Sequence, residues 1–383
     1  MTPVNKPTSP IPMVDLATQY SAIQPELDTA LLAAVRAGAY IQGPDVKAFA
    51  AELATYLDVE HVIPCANGTD ALQLALMALG LKPGDEVITA TFTYVATAEV
   101  IALLGLQPVL VDVHPDTFAL DLDQVEKAIT AKTKAIVPVH LYGQGADMES
   151  LLALAAQRGI PLIEDCAQAL GASYTLSNGQ TARLGTMGAM GCTSFFPSKN
   201  LGCMGDGGAL FTRDAALADR LRMMANHGQK VKYRHDVVGC NSRLDTLQAA
   251  ILRVKLRHLD QYTANRQTAA RYYDEGIQGL QGISIPMRDP ASTHVFHQYT
   301  LKVHGGKRDA LKAHLEAAGI PSMVYYPLPL HAQPAYSSAR YPLGHFPVAE
   351  ALCDQVLSLP MHSELTPEVQ TYIIQTLHSF FTP

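Results

Sequence analysis

The sequence predicts an α/β protein in which helices cover both faces of a mostly parallel sheet. Short apolar segments alternate with segments of helical periodicity between residues 62 and 165. The apolar segments do not alternate with polar residues, which is typical of parallel strands that are buried on both faces. The chain has 383 residues, enough for a large domain and a smaller one. We predict a large domain at 1–250 and a smaller α+β domain at 251–383.

The first half of the chain predicts two N-terminal helices followed by regular strand–helix alternation. Residues 1–12 are polar and Pro-rich and predict a loose arm. Apolar spacing and turn residues predict strands at 62–65, 86–90, 108–113, 135–139 and 161–165, and helices at 23–37, 45–57, 69–79, 97–104, 122–129 and 150–157. No Gly-x-Gly-x-x-Gly follows the first strand, which disfavours a nicotinamide dinucleotide fold.

The second half predicts a change of architecture after residue 212. A basic segment at 228–239 predicts a loop, and one long helix at 244–276 is expected to cross into the smaller domain. The remaining predicted elements are a helix at 215–226, a strand at 294–303, a helix at 307–318, a Pro- and Tyr-rich loop at 321–334, and helices at 348–356 and 367–380.

Composition and charge exclude several classes of protein. Hydrophobic residues make up 48% and charged residues 16%, which is typical of a folded chain. The net charge is −7 without basic runs, so neither nucleic acid nor an anionic membrane surface is an expected partner. We expect no signal peptide and no membrane span, because no apolar stretch of the required length occurs.

The six cysteines predict buried thiols in a reducing compartment, so the expected location is the cytoplasm. They stand at positions 65, 166, 192, 203, 240 and 353. None forms a C-x-x-C or His-paired spacing, so we expect no metal site.

Lys199 is the leading candidate for covalent chemistry. It follows the apolar pair Phe195-Phe196 and precedes four glycines between positions 202 and 208. Glycines at this density let the backbone pass close to a bound planar group. Burial between apolar walls lowers the pKa of a lysine amine, which then acts as a nucleophile and forms a Schiff base. The alternative is a lysine in a mobile surface loop.

Two further positions have both a structural and a functional interpretation. Asp165 ends a predicted parallel strand, where it either caps the next turn or holds a pyridinium nitrogen protonated, as pyridoxal phosphate requires. Glu164 is expected to face the opposite side of the sheet, because side chains alternate along a strand. Asn67-Gly68-Thr69 begins a helix, either as an ordinary turn or as an anion site.

The order of these motifs resembles the fold type I enzymes that use pyridoxal 5'-phosphate, and more narrowly the DegT/DnrJ/EryC1/StrS family of sugar-nucleotide aminotransferases. The resemblance runs from about Ile11 to the C-terminus. Five segments carry it: Ala66–Leu72, Glu164–Gln168, Ser194–Gly202, Gly205–Gly208 and Asn241–Asp245. It implies a large domain with a mixed, mostly parallel sheet and a smaller C-terminal domain.

The resemblance implies a role for each residue that surrounds the cofactor ring. Lys199 would bind the cofactor covalently and then move protons between substrate and cofactor carbons. Asp165 would pair with the pyridine nitrogen, Gln168 would bond the ring hydroxyl, and Tyr94 would stack on the ring face.

The resemblance also implies a phosphate site that two subunits share. Gly68, Thr69 and Ser194 would hold the cofactor phosphate, and Asn241 would reach it from a second subunit. The expected active unit is therefore a homodimer.

The local sequences at 91–97, 140–144 and 241–249 resemble those of family members that act on a UDP-linked 2-acetamido-3-oxo-glucuronic acid. The resemblance implies L-glutamate as the amino donor. It also implies a role in the synthesis of O-antigen and related surface polysaccharides. Such enzymes commonly have His-Tyr-Pro where this chain has Tyr325-Tyr326-Pro327. We expect Tyr325 and Tyr326 to contact the sugar.

Three alternatives remain open from the sequence. One is an aminotransferase for a 4-keto-6-deoxy sugar nucleotide. The second is a sugar 3-dehydratase, which Lys199 argues against because those relatives carry His at that position. The third is a non-catalytic regulatory relative.

Arg243 is the candidate for binding the carboxylate of a uronic acid. It lies two residues after Asn241, and a guanidinium can bind a carboxylate through two parallel hydrogen bonds. The alternative is an arginine that only caps the following helix or bridges the dimer.

Overall fold

A mixed α/β sheet lies at the centre of the computed structural model, which describes residues 6–382. The strands in chain order are β1 (His61–Cys65), β2 (Glu86–Ala90), β3 (Gln107–Val111), β4 (Thr133–Val137), β5 (Ile163–Asp165), β6 (Ser173–Thr175), β7 (Thr181–Arg183), β8 (Met190–Ser194), β9 (Gly208–Thr212), β10 (Gln229–Val231), β11 (Arg234–His235), β12 (Ile283–Ser284), β13 (Tyr299–Val303) and β14 (Val356–Leu359).

The helices surround this sheet and a second, smaller one. They are α1 (Leu16–Ala37), α2 (Pro44–Leu57), α3 (Gly68–Ala78), α4 (Ala96–Leu103), α5 (Leu122–Ala128), α6 (Met148–Arg158), α7 (Ala215–Met224), α8 (Thr246–Leu256), α9 (Leu259–Ile277), α10 (Arg308–Ala317), α11 (Pro347–Gln355) and α12 (Pro367–Phe381). No helix within residues 6–382 combines the length and apolar character needed to cross a membrane.

The central sheet has the strand order β1-β9-β8-β5, which continues into β4-β2-β3. Parallel bridges join the two parts, between Ile136 and Leu162 and between Val139 and Asp165. β9 runs antiparallel to both of its neighbours, whereas β5 and β8 run parallel, as do β2, β3 and β4. The predicted fold class is confirmed, and the carboxyl ends of β1, β5 and β8 meet at one edge of the sheet.

Both faces of the sheet are buried, as the continuous apolar strands predict. Val87 and Ile88 are adjacent in β2 but belong to different apolar cores. Val87 packs in the core that includes residues of α3 and α7, whereas Ile88 packs in the core that includes residues of α5 and α6. Alternate side chains of one strand therefore point to opposite helical layers.

A third core lies under the antiparallel strands β12, β13 and β14. It contains side chains from α9, α10 and α12, among them the fully buried Tyr273, Leu311 and Ile373. Ile11 also packs into this core, so the predicted loose arm is wrong for that position. Residues 1–5 of the predicted arm lie outside the described residues. The domain boundary at residue 250 stays a prediction.

The single long helix predicted at 244–276 is wrong, because the structure has two helices that break at Arg257-His258. α8 packs against α1 and α2, whereas α9 packs against α12. The break lets each helix turn its apolar stripe toward a different core, a need that apolar spacing along the chain does not show.

Several smaller differences have local causes. α1 begins at Leu16, earlier than predicted, because the Asp15 carboxylate accepts a hydrogen bond from Thr18 N at 2.9 Å and caps the helix. The predicted loop at 228–239 contains the β10–β11 hairpin. The strand predicted at 294–303 begins only at Tyr299, and the short strands β6, β7, β12 and β14 were not predicted.

Candidate active site

Lys199 lies in a tight turn after β8 that is fixed by backbone hydrogen bonds. Its N–H donates to Phe196 O at 2.8 Å, and Cys203 N donates to Phe195 O at 2.8 Å. Burial lowers the pKa of the Lys199 amine to about 8, and the negative charge of Asp165 partly opposes this shift. Lys199 and Asp165 therefore share one site, and a fraction of the amine is uncharged near neutral pH.

Asp165 is held rigidly at the carboxyl end of β5. Asp165 is only 6% exposed, and its Oδ2 accepts a hydrogen bond from Thr97 Oγ1 at 2.8 Å. Oδ1 accepts from Ala167 N at 3.1 Å. These two bonds orient the carboxylate, and each oxygen retains acceptor capacity for another donor.

Glu164 faces away from Asp165, as the strand alternation predicts. The residue is fully buried, and its carboxylate accepts hydrogen bonds from His140 Nε2 at 2.9 Å, Gly185 N at 2.7 Å and Gly188 N at 2.6 Å. His140 Nδ1 accepts from Ala146 N at 3.1 Å, so Nε2 carries the proton. Burial alone would raise the pKa of Glu164, but these hydrogen bonds outweigh it and lower the pKa.

Gln168 connects the end of β5 to the tyrosines of the C-terminal loop. Its Oε1 accepts from Tyr142 N at 2.7 Å, and its Nε2 donates to the Tyr326 hydroxyl at 3.2 Å. The ring of Tyr94, whose residue is 58% exposed, lies 6.3 Å from the Tyr326 ring. The Tyr142 hydroxyl donates to the carbonyl of Tyr325. The structure therefore brings all of these predicted residues into one region.

The start of α3 packs directly on the end of β8. A Cβ atom added to Gly68 would lie 2.6 Å from Ser194 Cβ, and one added to Gly208 would lie 2.4 Å from the carbonyl carbon of Asn67. Only glycine fits such approaches. The first N–H groups of a helix lack intrahelical acceptors, so Gly68, Thr69 and the Ser194 hydroxyl make a compact set of anion donors.

Within the described residues 6–382, the side chains of Asn241 and Arg243 make no polar contact with this cluster. Asn241 is exposed and forms a backbone bridge with Asn226. Arg243 is half-buried and lines a cavity of about 480 Å³ together with Lys47, Arg222 and Lys230. No hydrogen bond or ion pair formed within residues 6–382 joins either side chain to Lys199 or Asp165. Within one protomer, neither residue therefore contacts the lysine or the carboxylate through a polar bond.

Sequence reasoning missed two groups beside the site. Thr97, which orients Asp165, stood in a predicted helix and in the segment 91–97, but neither pattern pointed to a contact with Asp165. His297 is buried, and its Nδ1 has no hydrogen-bond partner in the described chain. Burial lowers the pKa of His297 well below its ordinary value, and the positive charges of Lys199 and Arg266 lower it further. His297 is therefore a neutral imidazole close to Lys199.

The fold and the site define a transaminase that depends on pyridoxal phosphate. A lysine with a lowered pKa, a fixed carboxylate and a helix N-terminus that approaches a serine fit the cofactor's aldehyde, ring nitrogen and phosphate. The model of the DegT/DnrJ/EryC1/StrS aminotransferase family matches residues 21–378. The chain belongs to this family.

Three relatives show how broad this similarity is. A pleiotropic regulatory protein from Geobacillus stearothermophilus is 48% identical over 97% of this chain and 98% of its own length. A UDP-2-acetamido-2-deoxy-3-oxo-D-glucuronate aminotransferase from Pseudomonas aeruginosa is 48% identical over 93% and 96%. A UDP-N-acetyl-3-dehydro-alpha-D-glucosamine 3-aminotransferase from Acidithiobacillus ferrooxidans is 47% identical over 96% and 98%.

Solved structures agree with the family assignment. DesV from S. venezuelae superposes with a TM-score of 0.94 at 42% identity, covering 98% of this chain and 100% of its own. NtdA from Bacillus subtilis, solved with bound PMP, superposes with a TM-score of 0.90 at 31% identity, covering 100% and 87%. This protein is therefore a sugar aminotransferase that uses pyridoxal phosphate.

Replacing Glu164 by glutamine tests whether the hydrogen bonds of its carboxylate stabilise the strand that carries Asp165. An amide places N–H groups against backbone donors, so Glu164→Gln should lower the free energy of unfolding by about 3 kcal/mol at pH 7, measured by urea titration. The native pKa of Glu164 is lowered, so its stabilisation is complete above the unfolded pKa of about 4.5 and is lost as pH falls through the native pKa. The difference between the two proteins should therefore shrink below that pH.

The exposed Glu126, which pairs with Arg158 at 3.0 Å, supplies the matched control. Glu126→Gln should change the free energy of unfolding by less than about 1 kcal/mol. Equal losses for the two variants would contradict the role given to the buried Glu164 carboxylate.

Proposed function

We propose that this protein moves an amino group from L-glutamate to the 3-keto carbon of a UDP-linked 2-acetamido-3-oxo-glucuronic acid, in the cytoplasm, for O-antigen or a related surface polysaccharide. The amino-transfer chemistry rests on one observation, the lowered pKa of the half-buried Lys199 amine beside the negative charge of Asp165. The choice of sugar is supported by the relative from Pseudomonas aeruginosa and by Arg243 in a basic cavity.

The proposed roles around the ring follow from the chemistry of each side chain. When bound, the cofactor supplies an electron sink for the electrons released at a substrate carbon that loses its proton. Asp165 would hold a proton on the ring nitrogen of the cofactor, because its oriented carboxylate favours a cation beside it. Lys199 would hold the cofactor, and its amine would take and return protons at the substrate carbon.

The remaining cofactor residues bind and orient. Gln168 has a second amide N–H beyond the one given to Tyr326, and this donor is assigned to the ring hydroxyl. The exposed ring of Tyr94 is assigned to the ring face. Gly68, Thr69 and Ser194 are assigned to the phosphate.

Replacing Lys199 by alanine should leave the fold intact and abolish amino transfer. Borohydride reduction of the wild-type holoenzyme should fix the cofactor to Lys199, because hydride reduces a Schiff base to a stable amine. Peptide mapping by mass spectrometry identifies the labelled residue. A label on the buried Lys255, or no label at all, would contradict the assignment.

We further propose that two copies of the chain share each active site. Asn241 is exposed in one protomer, and no described contact joins it to Lys199. Its segment is nevertheless tied to the phosphate region, because Ser242 Oγ accepts a hydrogen bond from Ala66 N at 3.1 Å. A side chain exposed beside one phosphate region is available to the corresponding region of a second copy.

Mixed dimers test this arrangement. Asn241→Ala should weaken retention of the cofactor, measured by its absorbance after dialysis. A heterodimer of Lys199→Ala and Asn241→Ala subunits should recover part of the activity, because one of its two sites keeps both residues. Failure to recover activity in a purified heterodimer would refute the shared site.

Tyr325 favours a second candidate, a 4-keto-6-deoxy sugar nucleotide. A neutral phenol stands where the sugar-acid enzymes commonly have histidine, and burial raises the pKa of Tyr325 further above its ordinary value. A deoxy sugar has no carboxylate and therefore needs no cation at this position.

We propose that Arg243 distinguishes the two candidates. Arg222 in the same cavity already pairs with Asp219 at 3.1 Å, whereas Arg243 forms no ion pair within the described residues 6–382. The unpaired guanidinium in this cavity is therefore available for a substrate carboxylate.

Substitution of Arg243 by methionine should lower kcat/KM for the uronate steeply, because loss of one partner of a buried charge pair costs roughly 2–5 kcal/mol. The matching 6-hydroxymethyl sugar should lose much less. Arg222→Met, a control in the same cavity, should change both substrates to a similar and smaller degree. Equal losses on both sugars in Arg243→Met would favour the 4-keto-6-deoxy candidate, and mass spectrometry of products from UDP- and dTDP-linked keto sugars would identify the substrate.

A further inference from the structure

A cavity of about 250 Å³ lies behind the loop that carries Lys199. One wall comes from α1, the opposite wall from the loop between β8 and β9, and the end from α8. The lining residues are Leu16, Gln19, Tyr20, Ile23, Leu27, Pro197, Cys203, Met204 and Lys255. A dry apolar cavity of about 150 Å³ is enough to bind benzene, so this one accommodates a small organic molecule.

Lys255 places an amine without a counter-ion in this cavity. The residue is only 5% exposed, and its amine makes no hydrogen bond or ion pair with any residue in the range 6–382. Burial lowers the pKa of Lys255 to about 8, the Cys203 thiol opposes the shift, and Arg266 adds to it. A buried ammonium without an anion is costly, so the cavity favours a ligand that supplies a negative charge.

The other polar groups of the lining are already engaged. Gln19 Nε2 donates to Ser363 Oγ at 3.2 Å, and the Tyr20 hydroxyl donates to Asp28 Oδ1 at 2.9 Å. The Cys203 thiol donates to Phe195 O at 3.0 Å. The Lys255 amine is the one charged group of the lining, and it lies among apolar side chains such as Ile23 and Leu27.

We propose that this cavity binds an aliphatic monocarboxylate, with its carboxylate on the Lys255 amine and its hydrocarbon chain against α1. Lys255 favours a ligand with a negative charge. The apolar lining favours a hydrocarbon chain, which would contact Leu16, Ile23, Leu27 and Pro197. A dicarboxylate such as glutamate fits poorly, because its second charge would lie among apolar side chains.

The position of the cavity gives the ligand a route to the active site. Pro197 and Cys203 line the cavity, and they flank Lys199 in the same hydrogen-bonded turn. A ligand that contacts both residues restrains this turn. Binding should therefore stabilise the holoenzyme against heat by mass action.

Calorimetric titration of the holoenzyme with hexanoate tests the site, with hexan-1-ol and hexylamine as matched probes. Hexanoate should bind saturably and raise Tm, whereas the alcohol and the amine should bind at least tenfold more weakly. Lys255→Met should weaken hexanoate at least tenfold, and Lys127→Met, on the exposed side of α5, should leave its affinity unchanged.

A second variant keeps the test valid if Lys255→Met does not fold. Leu16 is 41% exposed at the start of α1, and Leu16→Trp should fill the cavity and abolish hexanoate binding with Lys255 intact. The proposal is overturned if no saturable binding occurs, if hexan-1-ol binds equally well, or if hexanoate binds the variants as tightly as the wild type. The proposal is also overturned if a sugar substrate competes with hexanoate while both variants still bind hexanoate. That result would place hexanoate at Lys199.

Discussion

The rest of the active site depends on the electrostatic interaction between the Asp165 carboxylate and the Lys199 amine. The two charges belong to different segments, and each is fixed by its own set of hydrogen bonds. Burial lowers the pKa of the lysine, while the nearby carboxylate limits that effect. The balance leaves an amine that is both nucleophilic and able to carry a proton, which amino transfer requires.

The sheet brings the two groups together, because the carboxyl ends of β1, β5 and β8 meet at one edge. Glu164 anchors the layer behind β5 through His140 and the backbone around Gly185, so Asp165 projects from a strand that is held on its other face. Glycines at 68 and 208 let α3 approach β8 and β9 closely enough to present its first N–H groups beside Ser194. Sheet, helix terminus and lysine turn therefore act as one rigid frame.

Three other basic side chains, Lys255, Arg266 and His297, are buried in the region around Lys199. Lys255 and Arg266 are buried cations, and burial lowers the pKa of both, to about 8 and about 10. Arg266 Nη1 donates to Phe296 O at 2.9 Å, which positions the segment that carries His297. The C-terminal part of the chain thus contributes to the wall of a site whose principal residues lie before residue 200.

Most of the fold and the centre of the site could be predicted from the sequence, because both depend on local patterns. Continuous apolar strands, the Asp at the end of one of them and the glycine-flanked Lys199 are visible in short stretches of chain. The break at Arg257-His258, the contact of Thr97 with Asp165 and the isolation of Lys255 could not be predicted. Each depends on which distant surfaces meet, and apolar spacing along one segment carries no information about the partner of that segment. The sequence by itself therefore determined the fold class and the chemistry of the lysine and carboxylate, whereas only the tertiary structure decided how those groups are oriented and which buried charges lack a partner.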